Sequence, residues 1–181
     1  MAFRPSASLA LAVVYGVTFA VASMVAAPDR LILGAVLGPV LIWLSLNDLA
    51  RHEIPDTASF IIAVAGLGFQ WHLHGFGGGF WVTVLVAGAL TAALWLAGAR
   101  YFRRTGTEAL GIGDAKLIGA GTLCVGAEAV WLLLFIAASG GIVAALMAQR
   151  RGGNGALAFG PFLAYAVFIV VNFPLTGLTA P

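Results

Sequence analysis

The chain has few charged residues and almost no cysteine for its length. Of its 181 residues, 9% are charged, 61% are hydrophobic and one is cysteine. Soluble domains are about 45–50% apolar and about 25% charged, so the composition excludes an ordinary soluble domain. The single cysteine, Cys124, excludes an intrachain disulfide framework and a cysteine-based zinc site. The positive residues are confined to a few loops, so the net charge of +2 indicates membrane topology and no nucleic-acid partner.

Seven apolar runs predict an all-α, polytopic membrane helix bundle that forms a single integral-membrane domain over residues 1–181. A helix of roughly 20 apolar residues crosses a bilayer, and the first run is long enough for an uncleaved span instead of a signal peptide. The fifth run is short, so a re-entrant fifth helix, which would leave six spans, stays open. The runs cover about 7–27, 31–46, 58–73, 80–99 and 115–125, a sixth that continues to 149, and 157–175.

The basic residues define an orientation for this predicted bundle. With seven spans, one face holds all the basic side chains except Arg30. The positive-inside rule places that face in the cytoplasm, which predicts a cytoplasmic N-terminus and an external C-terminus. The basic residues of the predicted cytoplasmic face are Arg4, Arg51, Arg100, Arg103, Arg104, Lys116, Arg150 and Arg151.

Two aspartates lie at the ends of apolar runs on the predicted cytoplasmic face. Asp48 follows the second run, and Asp114 opens the fifth. A charge at the edge of hydrocarbon is costly, which favours a functional interpretation. Two neighbouring carboxylates share one proton, and such a pair suits general-base activation of water and general-acid protonation of a leaving amine. Taken alone, each aspartate is also consistent with a structural residue at a helix end, where its carboxylate is solvated or paired with an arginine.

The residues around the two aspartates have specific interpretations. Gly111 and Gly113 allow the backbone before Asp114 to turn sharply, or allow another chain to approach closely. Pro55 and Asp56 predict the start of the third helix, where Asp56 or Thr57 can cap free backbone N–H groups; Asp56 is interpreted as the cap. Lys116 is interpreted either as an anchor at the lipid headgroups or as a group that tunes Asp114.

Residues away from the aspartates have structural interpretations. His72 and His74 are predicted at the opposite face of the bundle from the aspartates, so no metal site is expected. Gly140 and Gly141 predict close packing between helices. Cys124 lies in an apolar context and is interpreted as a small packed residue.

Three elements, in family order, resemble the type IV prepilin peptidases. The GxGD element alone is shared with presenilin-like intramembrane proteases, whereas three elements in order, across about 48–166, make the resemblance specific. The three elements are Asp48 followed by Ile54-Pro55-Asp56, then Gly111-x-Gly113-Asp114-x-Lys116-Leu117, and finally Phe159-Gly160-Pro161-Phe162 at the start of the last run.

This resemblance implies an aspartic endopeptidase of the bacterial cytoplasmic (inner) membrane. Such an enzyme removes the short basic leader from prepilins or pseudopilins at the cytoplasmic face, without a metal or a cofactor. The resemblance implies that Asp48 and Asp114 are the catalytic pair, supported by the residues Gly111, Gly113, Lys116 and Pro55. The short N-terminus and the single cysteine resemble the stand-alone members of tight-adherence (Flp-type) pilus systems, so N-methyltransferase activity is not expected.

Two other functional classes remain as alternatives. A small proton-coupled transporter could use the paired carboxylates as a relay. That alternative predicts inverted repeats with broken helices in both halves, which the sequence does not show. A non-catalytic membrane assembly factor is the third possibility.

Overall fold

The computed structural model describes residues 5–106, 111–150 and 157–173, and within these ranges the chain forms seven α-helices and no strand. A 3₁₀ turn, Ala127–Ala129, precedes the sixth helix. The prediction of an all-α helix bundle is therefore confirmed. The helices are α1 (Pro5–Ala22), α2 (Pro28–Arg51), α3 (Asp56–His74), α4 (Gly78–Thr105), α5 (Ile112–Val125), α6 (Val130–Arg150) and α7 (Gly160–Asn172).

The outer surface of the bundle is apolar. In the described ranges, three helical segments are long and apolar enough to cross a bilayer: α2, α4 and Ala127–Arg150, which includes α6. Large apolar side chains such as Phe60, Leu85 and Phe135 are exposed on the surface. An extended apolar surface of this kind marks contact with a membrane. The chain is a membrane protein, and the number of spans and the side of the N-terminus stay predictions.

Helix α5 lies at the centre of the bundle, between α3, α4 and α7. Every residue from Leu117 to Val125 is buried. A helix of 14 residues rises about 21 Å, which is less than the roughly 30 Å of hydrocarbon in a bilayer. Neighbouring helices therefore enclose α5, and lipid does not.

Small residues allow the helices to pack closely around this centre. A Cβ atom at Gly66 of α3 would lie 2.8 Å from the backbone nitrogen of Cys124 in α5. Cys124 itself is fully buried, as expected for a small packed residue. A Cβ atom at Gly140 would lie 2.9 Å from the ring of Phe162, and one at Gly141 would lie 2.8 Å from the ring of a second phenylalanine. The predicted close packing at these two glycines is confirmed.

Several helix boundaries differ from the hydropathy pattern. Helix α2 continues past residue 46 to Arg51, so Asp48 lies in its last turn, and α4 continues past residue 99 through its basic stretch. A fall in hydropathy marks the edge of the apolar surface, whereas the helices end where His52 and Gly106 adopt left-handed φ angles of 55° and 69°. Basic side chains in these last turns interact favourably with the helix dipole. Helix α1, by contrast, ends at Ala22 and not at 27.

Some residues used in the sequence interpretation lie outside the described ranges. These are Arg4 and Arg151 of the predicted cytoplasmic face and the chain after 173. On the predicted cytoplasmic face, the structure describes the remaining arginines and Lys116.

Candidate active site

The ends of four helices meet at one end of the bundle, which is called the carboxylate end below. It is formed by the last turn of α2 and the first turns of α3, α5 and α7. Asp48 of α2 contacts Gly160 of α7, and Asp56 of α3 pairs with Lys116 of α5. The basic last turn of α4 lies beside the start of α5, where Phe102 and Ile112 line a common cavity.

The carboxylate end brings the two predicted catalytic aspartates together. Asp48 is only 5% exposed, and Asp114 is half-buried. The Asp48 carboxylate lies within the range of electrostatic interaction with Asp114. Helix α5 begins at Ile112, three residues before the predicted start, so Asp114 lies in the first helical turn. A carboxylate in that position is stabilised by the free N–H groups of its own helix.

Gly160 contacts Asp48 across the interface between α7 and α2. Its backbone N–H donates a hydrogen bond of 2.9 Å to Oδ2 of Asp48. A Cβ atom at position 160 would lie 2.7 Å from this oxygen and 3.0 Å from Cγ of Asp48. Only glycine therefore allows α7 to approach this closely. Sequence reasoning identified the Phe-Gly-Pro-Phe element and missed this contact; the glycine in that element is a signal for a close approach, and it does not identify the partner.

The two glycines of the GxGD element differ in their surroundings. A Cβ atom at Gly113 would lie 2.9 Å from Cβ of Ile54, the residue before Pro55, whereas one at Gly111 would lie 3.3 Å from Oδ2 of Asp114. Neither glycine has a positive φ angle. Close approach of another part of the chain, and not a sharp turn, therefore explains Gly113.

Lys116 forms an ion pair with Asp56, with 2.7 Å between Nζ and Oδ1. The prediction that Asp56 caps α3 was wrong: Pro55 occupies the N-cap position, no side chain forms a capping hydrogen bond there, and the Asp56 carboxylate turns toward Lys116. Both side chains are substantially exposed, at 43% for Lys116 and 74% for Asp56. Exposed pairs contribute about 0–1 kcal/mol, so this pair links two motif elements more than it stabilises the fold.

The histidines of α3 lie far from Asp48 and Asp114, as expected. Nε2 of His72 is 3.5 Å from Oδ2 of Asp29, near the start of α2. Asp29 and Asp48 are 19 residues apart on one helix, which corresponds to about 28 Å. Within the described parts of the chain, no three His, Cys, Asp or Glu side chains group so that they could hold a metal ion. The absence of a metal requirement stays a prediction.

Comparison with known proteins defines the class of protein. Residues 35–146 match the model of the type IV leader peptidase family, and this region contains Asp48 and Asp114. The match covers more than half of the chain. The chain therefore belongs to the type IV leader peptidase family, and the resemblance inferred from the three elements is confirmed. The Phe159–Phe162 element lies beyond the matched region.

Three curated relatives carry the name prepilin leader peptidase/N-methyltransferase. The protein from Neisseria gonorrhoeae is 34% identical over 137 residues, which cover 76% of this chain and 47% of that protein. The protein from Pectobacterium carotovorum subsp. carotovorum is 31% identical, covering 81% and 53%, and that from Dickeya chrysanthemi is 32% identical, covering 87% and 57%. The chain thus spans about half the length of these relatives. No solved structure matches it.

Proposed function

We propose that this chain is a membrane aspartic endopeptidase that removes the leader peptide from prepilins or pseudopilins, with Asp48 and Asp114 as the catalytic pair. One observation carries the proposal: two aspartates from different helices interact at the carboxylate end, and one of them is almost completely buried. The names of the curated relatives support the substrate class.

The proposed reaction uses only the two carboxyl groups and one water molecule. The ionised carboxylate accepts a proton from water as the water oxygen attacks the scissile carbonyl carbon. The protonated carboxyl then supplies a proton to the leaving amine, and the C–N bond breaks. Two carboxyls with one shared proton supply both functions at once.

We place the carboxylate end at the cytoplasmic face of the inner membrane. Arg51 ends α2, the basic stretch ends α4 and Arg150 ends α6, so this end of the bundle carries most of the positive charge of the described residues. Positively charged helix ends favour the cytoplasmic side. The N-terminus of a seven-span chain is then also cytoplasmic.

We propose that the substrate backbone reaches the aspartates beside the GxGD element. A cavity of about 230 Å³ lies between the end of α4 and the start of α5, and Gly111, Ile112 and Ala115 contribute to its wall. Peptide bonds held in a helix cannot be cleaved, so the substrate must be unwound there. Unwinding costs less at the edge of the bilayer, where water can satisfy free backbone groups.

The test is co-expression with a prepilin encoded nearby, followed by a gel-shift assay for leader removal. Asp48→Asn and Asp114→Asn are each expected to abolish cleavage while the protein remains folded in the membrane, because each removes one titratable carboxyl. Loss of a general acid or base costs about 10²–10⁴-fold in rate. Asp29→Asn is the matched control, since it makes the same change at the opposite end of α2. Normal processing by either purified active-site variant would rule out the pair.

The same assay separates the peptidase from a proton-coupled transporter. Purified wild-type protein in detergent is expected to cleave the prepilin without a membrane gradient. A transporter would leave the prepilin intact under these conditions, even though it needs the same two carboxylates.

A further inference from the structure

The first turn of α7 has one backbone N–H that is directed to another helix. Pro161 has no N–H, and the N–H groups of Phe162 and Leu163 both donate to the carbonyl of Phe159, at 3.0 and 3.2 Å. The N–H of Gly160 donates to Asp48 instead. The Gly-Pro order therefore leaves a single donor at this helix start, and that donor points at a carboxylate.

Because of this donor, the two oxygen atoms of the Asp48 carboxyl have different roles. An N–H group can only donate, so Oδ2 serves as the acceptor and any proton on Asp48 belongs on Oδ1. A hydrogen bond from an N–H group to a carboxylate favours its ionised form. The end of α2 opposes a negative charge there, but one of its free carbonyls, that of Asp48, already accepts the N–H of His52 at 2.8 Å. The start of α5 and the backbone of Gly111 also favour the ionised form of Asp114. Asp114 is half-exposed, however, whereas the bond from Gly160 to Asp48 lies in a buried site, where a charge-assisted hydrogen bond is stronger than it is near water.

We propose that Gly160 is a positioning residue that holds Asp48 as the ionised general base, with Oδ1 free to accept the proton of the attacking water. Asp114 is then the carboxyl that carries the proton and delivers it to the leaving amine. This inference rests on the proposed function and assigns separate roles to the two aspartates within it.

The titratable and charged groups around Asp48 come from every helix that packs near it. His52 caps the end of α2, one turn after Asp48, and interacts electrostatically with it. Asp114 approaches from α5, and the exposed Asp56–Lys116 pair lies at the start of α3 and on α5. Arg51 lies in the same last turn of α2, and Glu53 follows in the loop whose backbone contacts Asn47. Deeper in the bundle, Tyr15 of α1 interacts with Ser45, and Tyr165 of α7 packs against Tyr15.

The sharpest test removes the N–H of Gly160 without adding an atom beyond the backbone. Cell-free synthesis with glycolic acid at position 160 replaces this N–H by an ester oxygen. The acidic limb of the pH–rate profile is expected to move to higher pH by about one unit, because the general base loses a hydrogen bond that favours its charged form. The same replacement at Gly88, in α4, is the control for a backbone ester and is expected to leave the profile unchanged. Nothing lies within 4 Å of a Cβ atom built at Gly88.

A second pair of variants separates positioning from packing. Gly160→Ala and Gly66→Ala both introduce a Cβ into a closely packed interface, at 2.7 Å and 2.8 Å from the nearest atom. Gly66→Ala is expected to lose activity only in proportion to the lost folded protein. Gly160→Ala is expected to lose at least tenfold more activity per folded molecule, with the same shift of the acidic limb.

Two outcomes would overturn this inference. A shift of the alkaline limb in the Gly160 ester would identify Asp48 as the general acid. An unchanged profile would reduce Gly160 to a packing residue. Full activity of either Asp48→Asn or Asp114→Asn would instead defeat the proposed function, so the two failures are distinguishable.

Discussion

Gly113 offers a direct test of how the GxGD element is held in place. A Cβ atom at this position would lie 2.9 Å from Cβ of Ile54 and 3.5 Å from its Cγ1. The Cβ atom of Ile54 is fixed to the backbone, so no side-chain rotation can relieve the contact. Gly113→Ala therefore forces the first turn of α5 away from the loop between α2 and α3, and Asp114 is the next residue.

The magnitude follows from two opposing terms. Overpacking of this kind costs about 1–3 kcal/mol, whereas alanine is preferred over glycine inside a helix by about 1 kcal/mol. The net loss of stability is thus about 0–2 kcal/mol, which leaves most of the protein folded. The loss of activity is expected to be larger, about 10–100-fold, because a displacement of about 1 Å in a catalytic group costs up to 10²-fold in rate.

The measurement is leader cleavage per folded molecule, with the folded fraction determined by size-exclusion chromatography in detergent. Gly68→Ala, inside α3, is the matched variant, because nothing lies within 4 Å of a Cβ atom built at that position. It is expected to retain activity within about fivefold, since alanine suits the interior of a helix. Full activity of Gly113→Ala, or an equal loss of activity in Gly68→Ala, would refute this reasoning.

Three further predictions follow from the packing and the site. Asp56→Asn is expected to retain cleavage and to change the unfolding free energy by less than about 1 kcal/mol, because its ion pair with Lys116 is exposed; complete loss of cleavage would mean that Asp56 has a larger role. Gly119→Ala is expected to destabilise the protein by about 1–3 kcal/mol in chemical unfolding, because the new Cβ atom would overlap Oγ1 of Thr91, and the added change Thr91→Ala is expected to restore most of this loss. Cleavage by the purified protein is expected to be insensitive to EDTA, and inhibition that zinc reverses would contradict a mechanism based on two carboxylates.

The helical architecture could be predicted from sequence because apolar runs directly report which segments can enter a membrane. The proximity of Asp48 and Asp114 could also be predicted. Asp48 lies at the end of one helix and Asp114 at the start of a helix that runs in the opposite direction, so both lie at the same end of the bundle. The boundaries were less accurate, because hydropathy reports the surface of a helix and not its backbone hydrogen bonds. The extension of α2 to Arg51 is an example.

The contacts between motif elements could not be predicted from the sequence. The pairing of Lys116 with Asp56 and the bond from Gly160 to Asp48 join residues that are 60 and 112 positions apart. Such contacts depend on the packing of α3, α5 and α7, which no local pattern describes. Asp56 illustrates the difficulty: its position near a helix start suggested a cap, whereas a lysine from another helix provides its partner.

The short central helix has a consequence for the membrane in which this protein works. Asp48 belongs to α2, a 24-residue helix with lipid-exposed side chains, whereas Asp114 belongs to the 14-residue α5, which its neighbours shield. A change in bilayer thickness tilts helices that contact lipid, whereas a helix without lipid contact is not tilted directly. The acyl-chain length of the surrounding lipid is therefore expected to change the separation of the two carboxylates, and with it the rate of cleavage.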